Sequence, residues 1–105
     1  MTYTVNLYPA VFRRVELDPP FVRLSFKLLG AIDAHWGRSY YSFAAASDQF
    51  SPFWLDPSEG VVQFISRTTD GVAEIQSLIE RLRLLLELTN LHATRHAAFE
   101  KQESA

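Results

Sequence analysis

Polar and apolar residues alternate from the start of the chain, with Tyr3, Val5 and Leu7 on one side and Thr4, Asn6 and Tyr8 on the other. A period of two marks a half-buried strand over 3–8. After Pro9 the alternation resumes, setting Val11, Val15 and Leu17 against Phe12, Arg14 and Glu16, with Arg13 intruding on the apolar side. An inward-pointing charge discourages edge-to-edge pairing, so this second strand is expected at a sheet edge.

Residues 18–37 carry two competing patterns. VRLSFKL alternates as a strand would. Asp18 before Pro19-Pro20, however, reads as an N-cap followed by proline in a first helical turn, and Gly37 suits a C-cap. On a helical wheel Arg23, Lys27, Gly30 and Ala34 gather opposite Phe21, Leu24, Leu28, Leu29, Ile32 and Trp36. The helix is the reading adopted, with the strand as its alternative.

Three short strands are expected next, at 39–46, 51–55 and 61–67, forming a meander. The stretch from Asp56 to Gly60 between the last two is the strongest turn signal, because proline presets φ and glycine accepts a positive φ. Asp70 then reads as the N-cap of a long helix whose Val72, Ile75, Leu78, Ile79, Leu82, Leu85 and Leu86 form one stripe. Glu74 sits where the helix dipole favours a carboxylate. Leu84, Leu88 and Leu91 form a second row outside that stripe. A helix of about 30 residues is about 45 Å long, more than a compact domain of this size is wide. It must either break near Thr89-Asn90 or project, and both outcomes leave leucines in need of a partner.

The pattern therefore predicts an α+β fold in the order ββαβββα, an antiparallel sheet with a long C-terminal amphipathic helix packed across it. Residues 1–99 are read as one domain and 100–105 as a frayed tail. At 105 residues the chain can bury a core of its own.

Composition narrows the function. With no cysteine, disulfides, thiolate nucleophiles and cysteine-based metal sites are excluded, and a reducing cytoplasm is the expected compartment. The net charge of −2 is evenly spread and argues against nucleic acid, whose binding rests on phosphate neutralisation. No apolar run approaches the roughly 20 residues of a membrane span, and no membrane partner is expected.

Half of the fourteen aromatic residues lie within residues 35–55. Trp36, Phe43 and Phe53 are expected in the core, and Tyr40 with Tyr41 or Trp54 near the surface, where rings with polar tips serve as binding hot spots.

Candidate chemistry is sparse. His92, His96 and Glu100 have a spacing that can ligate zinc on one helix face, yet they lack the glutamate that follows the first histidine in metalloproteases. Asp33 and His35 would point about 200° apart in a helix and can cooperate only if that stretch is extended. The serines lack a nucleophile-elbow context and the glycines are isolated. No catalytic, metal or cofactor site is therefore assigned. The sequence reads as a non-enzymatic, cytoplasmic interaction protein, self-associating as a homodimer and binding a larger protein, in the manner of accessory, inhibitor or immunity proteins. Its expected contact residues are Tyr40, Tyr41, Trp54, Leu84, Leu88 and Leu91. The alternatives are a small-ligand binder lined by Trp36, Tyr41, Phe43 and Trp54 and, more distantly, an enzyme using Asp33 and His35.

Overall fold

The computed structural model describes residues 2–50, 52–67 and 71–103, with the side chains of 9–12 and 98–103 left out. Six elements follow one another: β1 (Asn6–Glu16), β2 (Phe21–Leu29), α1 (Ala34–Ala46), β3 (Trp54–Asp56), β4 (Val61–Arg67) and α2 (Val72–Glu103). The fold is α+β. An antiparallel sheet in the order β1-β2-β4-β3 is covered on one face by the two helices.

β2 is the centre of the structure, and it corrects the helical reading of residues 18–37. Val22, Leu24, Phe26 and Leu28 are buried, while the residues between them face away. Alternation outweighs the apparent cap, because Asp18-Pro19-Pro20 instead forms the turn from β1. The Phe21 N–H donates to the Asp18 carbonyl (3.1 Å), and the Leu17 N–H to the Phe21 carbonyl (3.2 Å). Gly30 ends the strand at φ 120°, where a Cβ would lie 3.0 Å from the Val5 Cα. Only glycine fits there without displacing backbone.

The two strands read at 3–8 and 11–17 are halves of β1, whose pairing with β2 shifts register between Leu7 and Phe12. β1 lies at a sheet edge as expected. Arg13, however, is exposed on the open face, beside Val15 and opposite Ser25.

The meander is also corrected. Residues 39–46 belong to α1, so the observed order is ββαββα. Asp33 caps this helix, its Oδ1 accepting from the Trp36 N–H at 2.8 Å. Trp36, Tyr40 and Ala44, spaced one turn apart, then supply the buried face. The hairpin of β3 and β4 is present, with Gly60 at φ 66° and Asp56 Oδ1 bound by the Ser58 and Glu59 N–H groups.

α2 runs unbroken through Thr89-Asn90 and gives the molecule its long axis of 54 Å against 23 and 22 Å. Leu78, Leu82, Leu85 and Leu86 are buried, Ile75 and Ile79 partly so, and Val72 is exposed, so the stripe begins one turn later than read. Glu74 accepts from the Gly71 N–H at 2.9 Å, satisfying a donor of the first turn. The expected cap, Asp70, lies outside the described residues. Thr89 is buried and bonds back to the Leu85 carbonyl (2.7 Å).

Asn90 stitches the start of the chain to this helix rather than ending it. Its Oδ1 accepts from the Val5 N–H (3.1 Å) and the Trp36 indole N–H (2.9 Å), and its Nδ2 donates to the Val5 carbonyl (2.8 Å). One turn on, Thr94 Oγ1 accepts from the Tyr3 N–H at 2.9 Å.

Candidate functional site

Most of the aromatic cluster is core. Trp36 and Tyr40 stack with ring centres 5.5 Å apart, and both are buried with Phe50 and Phe53. Tyr40 is thus removed from the expected contact residues. A long ring one turn from Trp36 in a helix enters the same core, and its hydroxyl is satisfied inside by the Phe53 carbonyl (3.0 Å). Burial, with Tyr41 beside it, pushes that phenol well above its ordinary range. Tyr41 is half exposed, its hydroxyl donating to the Leu55 carbonyl at 2.8 Å.

Trp54 is 72% exposed and lies on the opposite side of the sheet from the helices. It pairs with Gln63, which pairs with Ser25 and so with Arg13, and this row crosses the open face. Arg23 and Lys27 flank Ser25 on that face, above a shallow hollow of about 560 Å³. The Arg23 Nε is buried without a hydrogen-bond partner, and Asp56 and Glu59 close the hollow's far rim. Trp36, Tyr41, Phe43 and Trp54 consequently do not line one cavity.

The leucine row is on the surface of the helical layer. Leu84 and Leu91 are 43% and 50% exposed, and Leu88 between them is half-buried against the core. With Phe43 of α1, Leu88 and Leu91 form an apolar groove of about 380 Å³, edged by His92, Arg95 and His96. The site therefore combines residues from both helices; the leucine row and the His92–His96 spacing are legible in the sequence, and their meeting with Phe43 is not.

Beside the groove all three histidines of the chain come together, an arrangement not foreseen because His35 is 57 positions from His92. The rings of His35 and His96 lie 5.5 Å apart, and those of His92 and His96 5.6 Å. His35 Nε2 carries a proton, since it contacts the Ala93 carbonyl (3.2 Å), which can only accept. His92 Nδ1 is 3.0 Å from Ser39 Oγ, and the edge of Phe43 meets its ring at 5.5 Å. Among the described residues no group of three or more His, Cys, Asp or Glu is placed to hold a metal ion. The side chain of Glu100 lies outside the described residues.

Asp33 is drawn into capping α1, while the His35 ring turns to the Ala93 carbonyl of α2. Asp33 Oδ1 holds the Trp36 N–H, and Oδ2 accepts from the Tyr3 hydroxyl at 2.8 Å. Desolvation pushes the Asp33 carboxyl up, but the Trp36 N–H, the Tyr3 hydroxyl and the nearby His35 together outweigh it and hold the group below its usual range. The Ser39–His92 pair has the elements of a nucleophile and base, yet no carboxylate among the described residues lines its pocket to orient the imidazole.

No family model, curated protein or solved structure matches the chain. Among the described residues no helix is long and apolar enough to cross a membrane.

Proposed function

We propose that the protein is a small, non-enzymatic interaction module, resident in the cytoplasm, that self-associates through the C-terminal half of α2 and engages a larger protein. The observation that carries this reading is the half-exposed pair Leu84 and Leu91, set either side of Leu88 on a helix whose other stripe already fills the core. Fully burying a leucine contributes about 1.5–3 kcal/mol, and covering the exposed half of Leu84 and Leu91 on each of two copies yields about half of that per residue, which favours their meeting along this row. Tyr41 and Trp54, away from the row, then remain for the larger partner. Absence of cysteine supports the compartment.

Sedimentation velocity with circular dichroism tests it. Wild type is expected to sediment as a dimer, and Leu84→Glu/Leu91→Glu as a folded monomer. A monomeric wild type at concentrations of tens of micromolar overturns self-association. A second reading, a small apolar ligand in the groove of Phe43, Leu88 and Leu91, then takes precedence, and it predicts a thermal shift with that ligand.

A further inference from the structure

The polar pocket between α1 and α2 has a composition that self-association does not use. It encloses about 190 Å³ and is lined by His35, Arg38, Ser39, Ser42, His92 and His96. Every one of these side chains can donate a hydrogen bond, and among the described residues no carboxylate lines it.

Donor counting shows what the pocket lacks. Ser39 and His92 own at least one O–H and one N–H between them, and their mutual contact consumes one. Whichever tautomer His92 adopts, one proton remains for a third group. Ser39 is only 5% exposed and forms the floor of the pocket, while Arg38, Ser42 and His92 stand at its exposed rim. The Arg38 guanidinium and the Ser42 hydroxyl stand on the same helix, α1, and have no hydrogen-bond partner among the described residues. The rings of His92 and His96 are stacked at 21° beside the pocket. A ligand that satisfies this set must accept several hydrogen bonds at once and carry negative charge. A cation is repelled by Arg38.

We infer that this pocket binds an oxyanion, the phosphate group of a small phosphate monoester, with Arg38, Ser39, Ser42 and His92 as its donors. A phosphate supplies three acceptor oxygens and a charge near −2, matching convergent donors and one guanidinium. The body of the ester faces the neighbouring apolar groove, because His92 and His96 line both spaces. The assignment rests neither on the dimer nor on the leucines.

Phenyl phosphate is the probe and phenol its uncharged control, each titrated into the full chain and followed by NMR. Phenyl phosphate is expected to bind saturably at one site, shifting the imidazole resonances of His92 and His96, while phenol does not. Arg38→Gln should weaken binding about tenfold, as loss of a charge-assisted hydrogen bond does, and Ser39→Ala should weaken it as well. Arg13→Gln, on the open face of the sheet, should leave it unchanged, and circular dichroism confirms that each variant is folded. The inference is overturned if phenyl phosphate does not saturate, if phenol binds equally well, or if folded Arg38→Gln binds like wild type. Loss in Arg13→Gln alone also overturns it, by moving the anion to the other face.

Discussion

Asn90 makes three hydrogen bonds with one side chain, two to the Val5 backbone and one to the indole of the fully buried Trp36. Replacing it with alanine strands the Trp36 N–H and releases the Val5 backbone. The expected loss is about 2 kcal/mol or more in denaturant melts, because a buried donor without a partner forfeits its hydration too. Asp33 offers a different test. Its carboxyl is held below the ordinary value of 3.8 in the folded chain, so the unfolded chain binds the proton more tightly. Its contribution is therefore complete above the ordinary aspartate range and is lost as the pH falls below it, through the lower value of the folded chain. Asp33→Ala should be destabilised at pH 7, as lost N-caps are, with the gap from wild type narrowing as the pH falls below the ordinary aspartate range. A gap that stays constant with pH would mean that shape rather than charge is responsible.

At the level of elements, the β3–β4 turn separates two kinds of special residue. Gly60 has φ 66°, which a β-branched side chain tolerates poorly, so Gly60→Val should cost more than about 1 kcal/mol. Pro57→Ala should cost less than that, since alanine also accepts the φ of proline. Equal, small losses in equilibrium unfolding would show that the turn adjusts freely. This hairpin was legible because Asp56, Pro57 and Gly60 act through local geometry. β2 and α1 were not, for one shared reason. Asp18-Pro19-Pro20 imitates a helix start, whereas the true N-cap, Asp33, lies inside the helix which that start would imply. Once β2 is a strand, Asp33, Trp36, Tyr40 and Ala44 fall into helical register, and the alternation of Tyr41 and Phe43 is revealed as coincidence. The candidate site divides similarly. The leucine row could be read from spacing within one helix, but the meeting of His35 with His92 and His96 depends on how two helices pack.

On the scale of the whole molecule, a helix of 32 residues defines the long axis and carries two apolar rows of different meaning. Leu78→Glu/Leu82→Glu should abolish folding, since both leucines are buried in the shared core and an unpaired charge there is untenable. Leu84→Glu/Leu91→Glu should keep its circular dichroism spectrum, because half-exposed positions admit a charged head to water. Unfolding of the second variant would assign the outer row to stability instead of association.

The stitching of residues 3–5 to Asn90 and Thr94 also has a consequence for how the chain is made. Synthesis proceeds from the N-terminus, so Tyr3 and Val5 emerge long before the side chains that bind them, across separations of 91 and 85 positions. The helix that covers Val22, Leu24, Phe26 and Val62 likewise comes after the whole sheet. A nascent chain halted at Arg67 therefore holds a finished hydrophobic face that only α1 can partly cover. It should bind hydrophobic dyes and fail to show cooperative melting, whereas the released full chain should do neither. Completion of folding is thus timed to the arrival of α2, and the interval before it is when this protein most depends on being kept from its neighbours.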